Sequence, residues 1–317
     1  MTGLVLRCVG NLCRVLLDGD GVECDALVKG NLRLKGIRST NPVVVGDRVE
    51  LQPTREDLEH PFYITAICPR RNYIIRKASN LSKESHILAA NIDVALLVVT
   101  MIQPETSFTF VDRFLATAEA YDIPVVLLFN KIDLYGEEEN RRLAEWQAIY
   151  APLGYPTLSI SATEGIGLEE VWPHIAGRIV LLSGHSGVGK SSLINALLPG
   201  SSLRTHSISL AHGTGMHTTT YSAMIPLAAE RGGGYLIDSP GIKGFGTFDI
   251  EPEELTSYFR EIFHFSKGCR FNNCTHTHEP GCAVLKALSE HYIAQSRYQS
   301  YLGMLEDKDE RKYREAY

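Results

Sequence analysis

Apolar and polar positions divide this chain into three stretches with different periods. Through about residue 70, short apolar runs alternate with turn signals. Residues 14–17 precede the turn Asp18-Gly19-Asp20-Gly21, and residues 22–28, 43–51 and 63–67 follow as further strand-like runs. Closely spaced short strands with turns between them predict a small all-β barrel, and an OB-fold fits the length and strand count. Residues 70–90 read as a polar linker.

From residue 92 the pattern changes. Residues 94–99, 125–129, 156–160 and 179–182 are apolar runs, separated by helical patterns over 110–120, 137–150 and 167–176. Strands alternating with helices predict a parallel sheet, and the uninterrupted run Val94-Ala95-Leu96-Leu97-Val98-Val99 is what a strand covered on both faces requires. Residues 221–227 and 235–237 read as a hairpin turning through Arg231-Gly232-Gly233-Gly234. Residues 250–266 and 283–317 are helical by pattern. No internal repeat is visible.

The stretch Gly184-His185-Ser186-Gly187-Val188-Gly189-Lys190-Ser191 follows one apolar run and leads into a helical one, beginning at Ser192. That is the strand, loop and helix context of the G-x-x-x-x-G-K-[ST] phosphate loop. Glycines let successive N–H groups turn toward phosphate oxygens, and the helix N-terminus adds its dipole. Lys190 is placed to reach the β- and γ-phosphates, and the Ser191 hydroxyl to ligate Mg²⁺.

Asn130-Lys131-Ile132-Asp133 ends the second apolar strand. A carboxylate at Asp133 can accept from guanine N1–H and N2–H₂, groups that adenine lacks, and a site built to pair them rejects the wrong base strongly. Asp133 therefore disfavours an ATP-using kinase. Ser161-Ala162-Thr163, at the next strand end, is placed to offer backbone contacts to guanine O6. Asp238-Ser239-Pro240-Gly241 supplies a carboxylate for Mg²⁺ and, at Gly241, an N–H for the γ-phosphate. Thr218 or Thr219 is placed to complete the metal shell, and three consecutive threonines leave the choice open. The GTP-binding set is thus Asn130, Lys131, Ile132, Asp133, Ser161, Ala162, the segment from Gly184 through Ser192, and Asp238.

The order of these motifs is unusual, because the base-reading motifs precede the phosphate loop. A parallel sheet tolerates this, since strands keep their positions while the chain breaks at another loop: the order is a circular permutation. The segment after Gly241 then runs directly into the C-terminal residues and could carry nucleotide state to them. Ile242 stands where a water-orienting Gln would follow Gly241. An aliphatic group cannot orient water, so hydrolysis is expected to be slow alone, with His217 as the candidate replacement. Lys190, Gly241 and His217 form the candidate catalytic set.

Cys269-x₄-Cys274-x-His276-x₅-Cys282 offers three sulfurs and one imidazole, a donor set suited to one tetrahedral structural Zn²⁺. His278 is a spare candidate that spacing does not separate from His276. Cys8, Cys13, Cys24 and Cys68 lie among strand-like residues and are expected to be reduced core side chains.

Composition adds little beyond this. The chain has 317 residues, 44% hydrophobic and 21% charged, with a net charge of −6. These values describe ordinary globular protein of more than one domain. No signal peptide or membrane-length apolar run is visible, so a soluble, cytoplasmic protein is expected. Basic residues outnumber acidic ones through residue 77, where Lys29, Arg33, Lys35 and Arg38 are spaced as they would be along a phosphate backbone, while the remainder is acidic.

With these motifs in hand, the chain resembles, over essentially its whole length, the circularly permuted family of ribosome small-subunit-dependent GTPase A. The resemblance rests on the barrel-like start, the permuted motif order, Pro69-Arg70-Arg71-Asn72, His217-Thr218-Thr219-Thr220, the aliphatic Ile242 and the Cys-x₄-Cys-x-His-x₅-Cys end. One departure is Met216, where the family usually has a basic residue. The resemblance implies a multidomain fold: an OB-fold RNA-binding domain over 1–71, a circularly permuted P-loop GTPase domain over 72–246, and a helical zinc-binding domain over 247–317. It implies a monomeric GTPase that binds the small ribosomal subunit late in assembly, with other assembly factors, and hydrolyses GTP when the subunit stimulates it. The barrel and the zinc domain would contact ribosomal RNA. Two alternatives remain at this point: a GTP-gated binding switch with incidental hydrolysis, and a GTPase of the large subunit.

Overall fold

The structure is a computed structural model. It describes residues 1–19, 21–29, 32, 42–54, 61–77, 85–198, 223–238 and 252–314, and every structural statement below refers to these.

The first five strands close on themselves. They are β1 (Thr2–Val9), β2 (Leu12–Leu17), β3 (Glu23–Val28), β4 (Arg48–Pro53) and β5 (Phe62–Ile67). The order β1-β2-β3-β5-β4 is completed by a β4–β1 pairing, which removes the open edges. Burial alternates along β2 and β4, and Val5, Val15, Ala26, Val49 and Ile64 fill the interior at 0% exposure. This is the expected OB-like barrel.

One cysteine expectation is corrected here. Cys8 and Cys13 are joined by a disulfide, with Cα atoms 4.2 Å apart. The turn Gly10-Asn11 folds β1 onto β2 so tightly that the two residues face each other in register. Cys24 and Cys68 are reduced thiols, as expected, but only Cys24 is a buried core side chain.

The stretch that reads as a linker contains a two-stranded ribbon, β6 (Tyr73–Lys77) and β7 (Ser85–Ala90). Ahead of it, Arg70 and Arg71 serve different partners. Arg70 is bidentate to the buried carboxylate of Asp47 in the barrel, at 2.6 and 2.7 Å. Arg71 reaches Asp93 at 2.6 Å and the Ile92 carbonyl at 3.0 Å, at the foot of the next sheet. Gly46 (φ +84°) brings the barrel loop so close that a Cβ there would sit 2.1 Å from the Ala90 carbonyl oxygen.

The second sheet comprises β8 (Val94–Val99), β9 (Val125–Phe129), β10 (Thr157–Ser159), β11 (Arg178–Ser183), β12 (Ala223–Pro226) and β13 (Gly234–Asp238). Its order is β10-β9-β8-β11-β13-β12, parallel except for β12, which continues onto β1 through the pair Arg7↔Ala223. The alternate residues of one apolar strand serve two layers, as an α/β sheet requires. Ala95, Leu97 and Val99 pack with Phe114, Leu115 and Trp146 from α1 (Phe108–Ala120) and α2 (Glu137–Tyr150). Leu96 and Val98 pack with Ile175 of α3 (Trp172–Ile175) and with Leu193 and Ile194 of α4 (Lys190–Leu197).

The remaining helices are α5 (Pro252–Leu255), α6 (Arg260–Ser266), α7 (Ala283–Ser289) and α8 (Gln295–Arg314). Phe259, Ile262, Val284, Ile293 and Tyr301 form their core, which also takes in Ala116 of α1. No helix among the described residues is long and apolar enough to cross a membrane.

Candidate functional site: a nucleotide pocket and a metal cluster

The phosphate loop joins β11 to α4 at the centre of the parallel sheet, beyond the carboxyl ends of the strands, where α/β sheets bind ligands. The backbone is curled as the motif requires: Gly184, Gly187 and Gly189 have φ of +142°, +86° and +97°. Gly189 must be glycine, since a Cβ there would lie 2.3 Å from Asn130 Nδ2. Lys190 Nζ folds back over the loop and donates to the carbonyls of Gly184 and His185 at 2.7 and 2.6 Å. The ammonium is thereby held in the middle of the loop, where a nucleotide's phosphates would lie. Ser186, Gly187 and Ser191 are exposed at its mouth.

Asn130 organises the neighbouring loops. Its Nδ2 donates to Val188 O at 2.8 Å, and its Oδ1 accepts from Ala162 N at 3.0 Å. One buried amide thus joins the Asn-Lys-x-Asp turn, the phosphate loop and the Ser161-Ala162-Thr163 turn. Ser161 is itself buried and accepts from Glu164 N at 3.1 Å, fixing that turn. Lys131 stands at φ +68° and donates from Nζ to the Gln103 carbonyl. Ile132 N donates to Ile160 O at 3.3 Å, and Asp133 is exposed beside it. Burial, and secondarily Lys190, pushes the His185 imidazole below its ordinary range, so the ring is neutral near pH 7.

At the other end of the chain Cys269, Cys274, His276 and Cys282 converge, their four ligand atoms all within 4.8 Å of one another. Cys269 Sγ lies 3.9 Å from Cys282 Sγ, and His276 Nδ1 lies 3.6 and 3.4 Å from those two sulfurs. Zn–S bonds of about 2.3 Å in a tetrahedron give S···S edges of about 3.8 Å, so the cluster has the size of a four-coordinate site. Desolvation pushes the Cys274 thiol up to about 12 and holds His276 neutral. A bound cation reverses the thiol penalty by taking thiolates as ligands, and neutral imidazole is the ligand form of histidine. The supporting groups are in place. Tyr298 donates to the His276 carbonyl at 2.6 Å, and Glu279 accepts from the N–H groups of Thr275, Thr277 and His278. His278 is exposed and bonds to Thr277 rather than entering the cluster.

The profile of the RsgA GTPase family matches residues 67–248. The chain belongs to the RsgA GTPase family. It is 58% identical over 317 residues, covering all of both chains, to the "Small ribosomal subunit biogenesis GTPase RsgA" of Porphyromonas gingivalis. It is 57% identical over 318 residues, again with full coverage, to the protein of that name in Bacteroides fragilis. Two solved structures share the fold. YjeQ from Thermotoga maritima aligns with a TM-score of 0.76 at 35% identity, over 96% of this chain and 97% of that one. YloQ, described as a circularly permuted GTPase, aligns at 0.75 and 27%, over 98% and 95%.

Within that RsgA framework, several site residues read from the sequence lie outside the described residues. They are His217, Thr218, Thr219, Gly241 and Ile242, along with Arg33, Lys35 and Arg38 of the basic loop and Met216. The backbone of Asp238 ends β13, paired with Ala223. Sequence reasoning missed Tyr135, whose hydroxyl donates to the Asn130 carbonyl at 2.7 Å and accepts from Met101 N at 3.0 Å. It also missed Phe110, whose ring lies 3.6 Å from that of His185. Tyr135 stands two positions past Asp133 and was within reach of a local reading. Phe110 was not, because its partner is 75 residues away.

Proposed function

We propose that this chain is a GTP phosphohydrolase that acts on the small ribosomal subunit during its late maturation. The observation that carries this reading is a curled phosphate loop tied by Asn130 to the Asn-Lys-x-Asp turn. It occurs in a chain 58% identical, end to end, to a protein named as a GTPase of small-subunit biogenesis.

The roles follow from the chemistry of each group. N–H groups from Gly184 through Ser192 cradle the α- and β-phosphates, and Lys190 exchanges its carbonyl partners for the β- and γ-phosphates. Asp133 accepts from the guanine edge, Lys131 and Ile132 flank the base, and Ser161-Ala162 offers backbone N–H to guanine O6. Ser191, Asp238 and one of Thr218 and Thr219 hold Mg²⁺, with Thr219 our assignment. An Mg²⁺ held there would supply charge neutralisation for the nucleotide's phosphates. Gly241 N–H meets the γ-phosphate and His217 orients the attacking water in place of Ile242, so GTP is cleaved to GDP and phosphate. Cys269, Cys274, His276 and Cys282 hold one structural Zn²⁺. The partners are GTP and GDP, the small subunit with its ribosomal RNA, and other assembly factors. The protein acts as a monomer in the cytoplasm.

The test is GTP turnover alone, with purified small subunits and with large subunits. Stimulation by small subunits only is the expected result. Equal turnover in all three reactions would leave a GTP-gated switch with incidental hydrolysis, and stimulation by large subunits only would reassign the substrate.

A further inference from the structure

Helix α1 has three working faces. Val111, Phe114, Leu115 and Ala118 pack on the sheet. Its N-terminal end and the loop leading into it meet the nucleotide pocket. The Phe110 ring lies 3.6 Å from the His185 ring, and Pro104 Cδ lies 3.3 Å from where a Cβ on Gly187 would stand. The Gln103 carbonyl accepts from Lys131, and Met101 N reaches the Asn130 carbonyl through the Tyr135 hydroxyl. The loop is closed on itself by Thr106 N to Thr100 O at 2.9 Å and Thr100 N to Thr106 Oγ1 at 3.1 Å. It is therefore a braced wall touching both the phosphate loop and the base-reading turn.

The third face, Asp112, Ala116 and Glu119 at helical spacing, meets the C-terminal helices. Arg297 of α8 is 1% exposed, and from there its Nη1 donates to Asp112 at 2.8 Å. Its Nε and Nη2 donate to Glu261 of α6 at 2.6 and 3.1 Å. Tyr150 donates to the same Asp112 oxygen at 2.6 Å, and Phe259 lies 4.6 Å under the guanidinium. Seven residues along α1, Glu119 accepts from Arg260 Nε at 2.9 Å, and Arg260 also bonds the Leu153 carbonyl. Buried hydrogen-bonded charges of this kind fix geometry sharply, because a small displacement leaves a charge unpaired.

We propose that Arg297 is a positioning residue for the nucleotide pocket: seated on Asp112, it holds α1 so that Phe110 and the loop ahead of it set the phosphate loop and base-reading turn for guanine nucleotide. The C-terminal helices thereby form part of the nucleotide site without touching the nucleotide. This connection is separate from the segment after Gly241, and it rests on the reading of the pocket as a guanine-nucleotide site. Binding sites depend on such supporting groups, since misplacement by about 1 Å can weaken function on the order of a hundredfold.

The test is titration of full-length, metal-loaded protein with a fluorescent GDP analogue, comparing wild type, Lys190→Ala, Arg297→Met, Arg297→Lys, Phe110→Leu and the Arg297→Met/Phe110→Leu double variant. Arg297→Met is expected to raise the GDP Kd at least fivefold, with Arg297→Lys recovering part of the loss. In the Phe110→Leu background the added effect of Arg297→Met is expected to fall below twofold, because the two act through one helix. Arg297→Met leaves two buried carboxylates without their guanidinium and could fail to fold. Arg260→Gln, at a half-exposed pair, covers that case with an expected two- to threefold rise in Kd. A folded Arg297 or Arg260 variant with lowered Tm and unchanged GDP Kd overturns the proposal, as do Arg297 and Phe110 effects that simply multiply. If wild type and Lys190→Ala both fail to bind GDP, the guanine-nucleotide reading falls first and this inference with it.

Discussion

Asn130 Nδ2 donates to the carbonyl oxygen of Val188 at 2.8 Å, a bond between residues 58 apart in the chain. It ties the Asn-Lys-x-Asp turn, which we propose reads the base, to the phosphate loop, and the same side chain steadies Ala162. The two halves of the pocket are therefore a single unit.

Replacing Asn130 by Ala leaves Val188 O and Ala162 N buried without their partner, each worth about 1–3 kcal/mol. GDP affinity is expected to fall by about 10- to 100-fold, with a lower Tm, measured by nucleotide titration and thermal unfolding. Asn130→Asp keeps the acceptor for Ala162 but sets a buried carboxylate oxygen against the Val188 carbonyl, so it should be at least as damaging as Asn130→Ala.

Asp133 is exposed at the rim, where a base edge can reach it. Exchanging the carboxylate for an amide replaces one acceptor oxygen by a donor. Asp133→Asn is thus expected to weaken GDP by two orders of magnitude or more and to improve binding of xanthosine diphosphate, whose 2-carbonyl accepts from the new amide. Competition titrations with the two nucleotides measure this, and an unchanged preference for guanine would remove Asp133 from base recognition.

The legible parts of this protein are those whose physics is local. The phosphate loop shows in the sequence because its glycines, lysine and serine are demanded by a single turn of backbone. Helix α2 shows because Leu143, Trp146 and Tyr150 repeat at helical spacing and are buried together. The metal cluster shows because four donors fall within fourteen residues. What was hidden depends on partners far apart: Asp47 with Arg70, and Asp112 with Arg297, 185 residues away. Arg70 and Arg71 read as linker charges, yet each is committed to a different domain. The Cys8–Cys13 bridge was within reach, since a Gly10-Asn11 turn sets the two cysteines opposite each other, but the expectation of a reducing compartment outweighed that register.

The Asp47–Arg70 pair yields a test of how the barrel is held. The Asp47 side chain is 0% and the Arg70 side chain 7% exposed, and Asp47 also accepts from Val44 N at 2.9 Å. Removing one partner strands a buried charge, which destabilises by about 3–5 kcal/mol. Asp47→Ala is expected to lower the urea midpoint of the barrel, while Asp47→Leu with Arg70→Met should recover much of the loss. GDP affinity should change less than twofold in either variant, because neither side chain contacts the pocket.

Cys274→Ser removes one donor of the metal cluster. Metal content is expected to drop from one equivalent to a small fraction, with loss of protection in the α6–α8 region by hydrogen exchange, since metal binding and folding share one free energy. His278→Ala should leave both unchanged, as that ring is exposed and outside the cluster. Loss of metal from His278→Ala would instead bring His278 into the ligand set.

Tyr301 supplies a pH dependence with a definite sign. Its hydroxyl donates to the Thr275 carbonyl at 3.2 Å and lies 3.1 Å from Thr256 Oγ1, beneath the metal loop. Burial pushes the phenol up from 10.0 to about 12, because the ionised form would lose solvation and repel its neighbours. The folded protein holds this proton more tightly than the unfolded chain. Its contribution to stability is therefore fully present below pH 10, is lost as pH rises toward about 12, and amounts to about 2–3 kcal/mol. Urea midpoints at pH 9 and pH 11 should fall more in wild type than in Tyr301→Phe, which cannot ionise. Burial also pushes Tyr150 and Tyr155 upward, so absorbance at 295 nm should show one late-titrating tyrosine fewer in that variant than in wild type. Equal pH dependence in the two proteins would mean that Tyr301 ionises freely and that its burial does not govern alkaline stability.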